Sequence, residues 1–368
     1  MRQRVPAYYG RFCCAAGHCA DSCCIGWEIA IDAGTLAFYD AQPEPWRSRF
    51  ARGILRTPQG AVFRLEPGGR CPFLNGDNLC RIYAAFGPEH LCEICAQHPR
   101  FHNRWPGRLE SGLGLACETA ARLILSAPTP ALFVEREVPE PHAAPGPGRP
   151  DEELSAVLEE ARDVCFALLA TPGHTAGQKL ALCTALLRDV QSSLDRGSPR
   201  LAERLCRAYR SADGRGHVLA ALRQMAHPAL RRPAGRALLE AAQGCEAMAP
   251  AWPGRLQAAR AVLDTLDGPA VPSGPFYENM AAYLFYRYLP QALWDGAPAF
   301  QGMKAVVFCL LTALLERAER PADFSGRARL AKDASKELEY CPANLDALAG
   351  APFQRAALGL NGLASLLL

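Results

Sequence analysis

The chain has 368 residues, and its 40 basic and 37 acidic side chains leave a formal net charge of +3. This nearly balanced charge gives no indication of a nucleic-acid partner, which usually requires a strongly basic surface. At roughly 100–200 residues per domain, the length allows two or three domains.

The sequence predicts a protein without a membrane-spanning segment. No apolar run reaches the roughly 20 residues needed to cross a bilayer, and the first residues lack the apolar core of a signal peptide. We therefore expect a cytoplasmic location, where cysteines stay reduced. There, clustered cysteines indicate a metal site or catalytic thiols more than a disulfide framework, which is the weaker alternative.

Ten of the sixteen cysteines lie in the first third of the chain, and five of these fall between Cys13 and Cys24. Short separations let one loop bring several sulfurs within about 2.3 Å of a single ion, with little loop entropy left to lose. The side chains of the adjacent Cys23 and Cys24 start in different directions, which makes them awkward as ligands of one metal ion. One of this pair is therefore expected to bind a second ion or simply to pack.

Short strands are predicted next to this loop. From Trp27 to Asp32, apolar and polar residues alternate, which places Trp27, Ile29 and Ile31 on one face of a strand. A second strand is predicted over 62–65.

A second group of cysteines follows at wider spacing. The turn-forming residues between Cys71 and Cys80 are predicted to fold these two thiols towards each other. Cys92 and Cys95 have the separation of a metal knuckle. Cys117 begins a predicted helix that runs to 125, and the dipole at that helix start favours a thiolate.

Thiols alone do not choose between zinc and an iron–sulfur cluster, because both prefer soft ligands. The remaining six cysteines occupy apolar helical stripes, where cysteine packs as a small hydrophobic residue. These six are Cys165, Cys183, Cys206, Cys245, Cys309 and Cys341.

The composition changes after a segment rich in proline and glycine, 137–150, which is predicted to be a linker. Beyond it, apolar residues recur at helical spacing, and Asp151 is placed to cap the first helix. Helices are predicted over 152–170, 176–195, 199–211, 216–226, 233–246, 254–266, 277–289, 303–319 and 344–368. The predicted fold class is α+β, with a small cysteine-rich metal-binding domain at 1–136 and a larger all-helical domain at 151–368.

The first third of the chain resembles the flagellin lysine N-methylase family of bacteria, and more broadly the zinc- or iron-chelating cysteine-cluster domains. The matching motifs are Phe12-x-Cys14-x4-Cys19-x-Asp21-x-Cys23-Cys24-x-Gly26-Trp27-x-Ile29-x-Ile31-Asp32, Cys71-Pro72-Phe73-Leu74, Leu79-Cys80-x-Ile82, Cys95-x2-His98-Pro99-Arg100 and Leu113-x-Leu115-x-Cys117. Fainter matches are Glu278-Asn279-Met280-x2-Tyr283 and Leu338-Glu339-Tyr340.

The resemblance implies methyl transfer from S-adenosylmethionine to lysines of flagellin, with a 4Fe–4S cluster held by N-terminal cysteines. Carried over by position, the candidate metal ligands are Cys14, Cys19, Cys23, Cys24, Cys71, Cys80, Cys95 and Cys117. One cluster takes only four thiolates, so some of these eight must do something else. Cys13 and Cys92 lie outside the family pattern, and His98 is not promoted to a ligand.

Two motifs of familiar methyl-donor sites do not occur in the sequence. No glycine-rich loop follows a predicted strand, and the Cys-x3-Cys-x2-Cys run of radical S-adenosylmethionine enzymes fails at Gly26. No catalytic residue is assigned from the sequence. The leading interpretation is a protein-lysine methyltransferase. The alternatives are a non-catalytic zinc- or iron-binding protein whose helices bind a partner, and an electron-transfer protein.

Overall fold

The computed structural model describes residues 1–58, 60–139 and 151–368. Within these ranges the chain forms short strands and short helices first and long helices afterwards. The strands are β1 (Arg2–Pro6), β2 (Ala30–Ile31), β3 (Ile54–Thr57), β4 (Gly60–Phe63), β5 (Arg100–Trp105), β6 (Arg108–Leu113) and β7 (Phe133–Glu137).

The α-helices of the described ranges divide into five short ones before residue 126 and twelve after residue 151. The short ones are α1 (Ala33–Asp40), α2 (Trp46–Gly53), α3 (Arg81–Phe86), α4 (Glu93–Gln97) and α5 (Glu118–Leu125). The others are α6 (Glu152–Ala170), α7 (Ala176–Asp195), α8 (Pro199–Arg210), α9 (Ala212–Met225), α10 (Pro228–Gln243), α11 (Trp252–Ala261), α12 (Pro275–Tyr288), α13 (Ala292–Asp295), α14 (Pro298–Glu319), α15 (Phe324–Glu339), α16 (Pro342–Gln354) and α17 (Leu360–Leu367).

The strands form two small sheets. The larger has the order β5-β6-β1-β7, in which β1 pairs parallel with β6 and antiparallel with β7. The smaller has the order β2-β4-β3 and is antiparallel. The predicted alternation is confirmed, because Ile29 and Ile31 are buried while Glu28 and Ala30 are exposed. The regular strand there is shorter than predicted, since only two residues pair with β4.

Among the described residues, two large hydrophobic cores and one small cluster around Trp105 and Leu158 are buried. The smaller of the two cores gathers residues between Cys24 and Cys95, with a stack of aromatic rings that includes Tyr39, Phe50 and Phe73. The larger one contains the end of β6, α5 and most of the long helices. A mostly helical chain with a small strand-containing N-terminal region is therefore confirmed, although the large core begins before the predicted boundary at 136.

A buried ion pair fastens the larger sheet to the first long helix. Glu110 on β6 and Arg162 on α6 are both fully buried, and the two guanidinium nitrogens of Arg162 donate to the two carboxylate oxygens over 2.6 and 2.7 Å. Burial alone would raise the pKa of Glu110, but Arg162 and Arg108 outweigh it and hold that pKa below its ordinary value.

The long helices follow the predicted pattern closely at the start of this region. Helix α6 begins after Asp151, whose carboxylate accepts a hydrogen bond from the Leu154 backbone N–H. Helix α7 has the predicted bounds and begins with a capping box between Thr175 and Gln178. Cysteines 165, 183, 206 and 309 are buried in these helices as predicted, whereas Cys245 and Cys341 are half-buried.

Several helices differ from the predictions in their bounds. Helices α9 and α14 begin four and five residues before their predicted starts, at Ala212 and Pro298, and α11 ends at Ala261. Helix α10 begins at Pro228, so Pro233 lies inside its N-terminal part instead of starting it. The predicted helical segment 344–368 is confirmed as helical, and it consists of two helices, α16 and α17, separated by a short 3-10 turn. Helix α15 was not predicted, because its buried face carries charged residues such as Lys332, Glu337 and Glu339 instead of an apolar stripe.

The predicted linker lies mainly outside the described residues, at 140–150. Its first residue, Glu137, belongs to β7. The linker and the domain limits at 136 and 151 otherwise stay predictions.

Among the described residues, α14 is the one helix long and apolar enough to cross a membrane by length and composition. Its apolar window is 94% buried against the surrounding helices. Burial of this kind is what a central core helix shows.

Candidate metal centre

All sixteen cysteines are free thiols. The eight predicted ligands do not gather at one point but fall into two neighbourhoods. We call Cys14, Cys19, Cys23 and Cys117 the first thiol set. The second thiol set contains Cys24, Cys71, Cys80 and Cys95, together with Cys92, which lies outside the family pattern.

The first thiol set is built by the loop before β2 and by the start of α5. A thiol hydrogen bond with Cys24 raises the pKa of Cys23, and burial and the charges of Cys14 and Cys117 raise it further. Burial likewise raises the pKa of Cys19, with a contribution from Cys14. These mutual effects place the four sulfurs in one electrostatic neighbourhood.

Cys117 lies at the start of α5, as predicted. Burial raises the pKa of Cys117 above its ordinary value. The backbone N–H groups of Thr119 and Ala120 at the helix start lower it, as the dipole argument requires, but by less than burial raises it. Without a bound cation, this thiol is therefore neutral near pH 7.

The second thiol set lies against the smaller core. The Cys71 backbone N–H donates to the Cys24 carbonyl over 2.9 Å, and Cys71 and Cys92 are buried there. Burial raises the pKa of Cys71 to about 12, with contributions from Cys24, Cys80 and Cys92. Cys92 and Cys95 share a thiol hydrogen bond that raises the pKa of Cys95. The Cys23–Cys24 pair joins the two sets.

In the described parts of the chain, no three Cys, His, Asp or Glu side chains stand close enough together to hold a metal ion as they are. Metal binding at either set therefore requires the thiols to approach one another and lose their protons. The role of the eight cysteines as ligands stays a prediction.

Ion pairs anchor the cysteine loop to α15. The Asp21 carboxylate contacts the ammonium groups of both Lys332 and Lys336, the latter at 2.6 Å. The Ala20 backbone N–H also donates to Glu118 on α5, over 3.2 Å. The sequence pattern gave no indication of either lysine contact. A signal in the sequence that could have pointed to these two lysines is that the chain has only four lysines and that Lys332 and Lys336 are one helical turn apart.

We expect Asp21→Asn to loosen this loop without unfolding the protein. The substitution removes a partly buried carboxylate and leaves Lys332, which is 3% exposed as a side chain, with Asp333 as its partner. Hydrogen exchange or limited proteolysis should show faster opening at 13–24. The matched control is Asp77→Asn, which changes an exposed carboxylate outside this contact. Equal protection in both variants would contradict an anchoring role.

Aromatic rings cover one side of the first thiol set. Trp27 donates its ring N–H to the Cys23 carbonyl over 2.7 Å, and its ring stacks on Tyr340 with centroids 5.1 Å apart. The His98 ring is tilted against the same tryptophan, with the two ring centroids 6.2 Å apart. Burial, reinforced by Lys336 and Arg287, lowers the pKa of His98 to about 4, so this ring is neutral at pH 7.

Two buried polar atoms beside these rings lack hydrogen-bond partners within the described structure: His98 Nε2 and the Tyr340 hydroxyl. Burial raises the pKa of Tyr340, and Cys23 and Cys117 add to that effect, so the hydroxyl lies near the first thiol set. Buried polar groups normally have a partner. These unpaired atoms are the structural observation that fits an additional group bound next to these four thiols.

Helix α12 packs in the core, and its glutamate and two of its tyrosine hydroxyls have partners. The Glu278 carboxylate accepts from Lys179 Nζ over 2.7 Å. The hydroxyls of Tyr283 and Tyr288 both donate to Glu339, over 2.8 and 2.7 Å. None of these groups is available as a free catalytic base.

Comparison with known proteins identifies relatives over about a third of the chain. This chain is 30% identical over 129 residues to the flagellar biosynthetic protein FliU of Salmonella muenchen, and the match covers 33% of this chain and 76% of FliU. It is 29% and 28% identical over 139 residues to the lysine-N-methylases of Salmonella typhimurium and Salmonella choleraesuis, covering 36% of this chain. The chain spans about a third (35%) of the length of these two lysine-N-methylases.

No protein-family profile matches the chain. No solved structure matches it either.

Proposed function

Because the chain belongs to the family that includes the flagellar biosynthetic protein FliU, and is related over part of its length to lysine-N-methylases, we propose that it methylates lysine side chains of flagellin. The methyl donor in this proposal is S-adenosylmethionine. The shared segment with lysine-N-methylases carries the proposal, since it is the observation that points to a reaction.

The proposed cofactor is an iron–sulfur centre at the first thiol set. Four thiols are the number that one 4Fe–4S cluster takes, and the unpaired His98 and Tyr340 atoms lie beside them. When bound, such a cluster would supply electron-transfer and Lewis-acid chemistry. The chain's own part is to anchor the loop through Asp21 and to cover one side of the site with Trp27.

The second thiol set supports a structural role for a second ion. Its cysteines line the smaller core rather than an open site, and closed thiolate sites of four ligands are typical of structural zinc. If the first thiol set also held only zinc, the protein would be a non-catalytic metal-binding protein whose helices bind a partner. That is the second candidate function.

Metal analysis of anaerobically purified protein separates these functions. We expect about four irons and four sulfides per chain, with a brown colour that bleaches on addition of dithionite. Calorimetry should then show binding of S-adenosylmethionine, and mass spectrometry should show methylated lysines on purified flagellin. Flagellin with acetylated lysines is the matched control and should gain no methyl groups.

A colourless protein that contains only zinc and does not bind S-adenosylmethionine would contradict the enzymatic proposal. Iron without any methyl transfer to flagellin would instead favour the electron-transfer alternative.

A further inference from the structure

A small apolar cavity lies where β1 and β7 meet α5 and α12. Its volume is about 110 Å³, and Tyr8, Ile124, Phe133 and Tyr286 contribute to its walls. A cavity of roughly 150 Å³ can hold benzene. The cavity is therefore too small for a nucleoside and suits a slim chain.

One residue of the cavity wall carries a buried hydrogen-bond acceptor that is unused. Asn279, which is 3% exposed, lines the cavity. Its amide nitrogen donates to the carbonyls of Leu125 and Ala127, over 3.1 and 2.9 Å. Its amide oxygen has no partner among the described residues. A buried acceptor without a partner is costly, so this oxygen calls for a ligand that carries an N–H or O–H group.

The charges around the cavity favour an uncharged donor. Arg11 contributes to the lining, and no aspartate or glutamate is among the described lining residues. Two tyrosine hydroxyls of the wall are engaged elsewhere, since Tyr283 donates to Glu339 and Tyr286 to the Arg4 carbonyl. Burial and a neighbouring guanidinium both disfavour an ammonium ion. A neutral amine therefore fits better than a charged one.

Two residues of the cavity wall are near the first thiol set along the chain. Ile124 is seven residues along α5 from Cys117, which corresponds to roughly 10 Å of helix. On the other side, Arg11 precedes Cys14 by three residues.

We propose that this cavity binds the side chain of the substrate lysine and holds its amine in the neutral form, with an amine N–H donating to the Asn279 amide oxygen. This inference rests on the proposed lysine methylation. Methylation requires a neutral amine, and the ordinary lysine pKa of about 10.4 must be lowered for that. The apolar walls take the four methylene groups, and Asn279 is a positioning residue for the nitrogen.

Two substitutions test the role of Asn279. Asn279→Leu keeps the approximate size and removes the acceptor, so KM for flagellin should rise about tenfold while the cluster stays bound, as for the loss of one buried hydrogen bond. Asn279→Asp adds a carboxylate that stabilises the ammonium form of the substrate lysine and so raises its pKa. In a plot of kcat/KM against pH, the rise in activity should therefore move to higher pH. Asn361→Leu, an exposed position on α17, is the control and should match the wild type.

A binding experiment keeps this proposal separate from the proposed function. Saturation-transfer NMR with n-butylamine at pH 9 should show binding to the wild type and weaker binding to Asn279→Leu. Adenosine should show no difference between the two proteins. If flagellin is methylated but neither KM nor the amine signal depends on Asn279, the cavity proposal is overturned and the methylation proposal stands.

If no methylation occurs but n-butylamine binding depends on Asn279, the cavity binds amines and the methylation proposal fails. An Asn279-dependent signal for adenosine would overturn the lysine assignment. Circular dichroism melting of each variant shows whether it is folded.

Discussion

Cys14→Ala is expected to lose the iron–sulfur cluster and at least about 100-fold of the lysine methylation activity. Cys14 acts electrostatically on Cys19, Cys23 and Cys117, which makes it one of four thiols in a single neighbourhood. Removing one of four ligands leaves the cluster incompletely held, and loss of the cofactor removes the reaction that depends on it. Iron content, visible absorbance and methyl transfer to flagellin should fall together.

The neighbouring Cys13 provides a matched control. Both thiols are exposed and adjacent in sequence, but Cys13 lies outside the family pattern, and its thiol contacts the Cys14 carbonyl at 3.9 Å. Cys13→Ala should therefore keep both metal and activity. Cys183→Ala, buried in α7, should also keep both. Full iron content in Cys14→Ala would remove Cys14 from the ligands and leave the first thiol set without its fourth member.

The sequence was sufficient to predict the parts of the fold that depend on local patterns. Helix α6 begins at its predicted cap because Asp151 stands directly before an apolar stripe. The buried face of Ile29 and Ile31 follows from alternation. The overall division into a small strand-containing region and long helices follows from the change in composition.

The division of the cysteines into two sets could not be predicted from spacing. Cys23 and Cys24 are adjacent and share a thiol hydrogen bond, yet their other thiol neighbours differ. Cys23 lies near Cys14 and Cys117, whereas Cys24 lies near Cys71, Cys80 and Cys95. Cys117 joins Cys14 only through the packing of α5 against the loop, a contact between residues far apart in the chain. The anchoring lysines were missed for the same reason, since α15 meets Asp21 across more than 300 residues.

The buried charged residues of α15 also could not be predicted from a hydrophobic pattern. The buried face of α15 carries Lys332, Glu337 and Glu339 at positions where a stripe of apolar residues is normally expected. Each is placed there by a specific partner: Asp21 for Lys332, the Met248 and Ala249 backbone N–H groups for Glu337, and the Tyr283 hydroxyl for Glu339. Such partners become apparent only in three dimensions.

Glu110→Gln is expected to lower the free energy of unfolding by about 3–5 kcal/mol, the cost of breaking a buried ion pair from one side. The substitution leaves the Arg162 guanidinium, which is fully buried, without its carboxylate. Asp40→Asn is the matched control. It breaks the Asp40–Arg56 pair, whose side chains are 50% and 56% exposed, and should cost less than about 1 kcal/mol. Denaturant unfolding at pH 7 measures both effects.

A double replacement and a pH series test the cause of this loss. Glu110→Leu combined with Arg162→Met should recover much of the stability, because apolar residues of similar volume can replace a buried pair. Since the pKa of Glu110 is lower in the folded protein than its ordinary value of 4.5, its contribution is fully present above that value and is lost as the pH falls through it towards the folded pKa. The gap in unfolding free energy between wild type and Glu110→Gln should therefore narrow below about pH 4. A gap that stays constant down to pH 3 would show that lost packing, and not the ionised carboxylate, destabilises the variant.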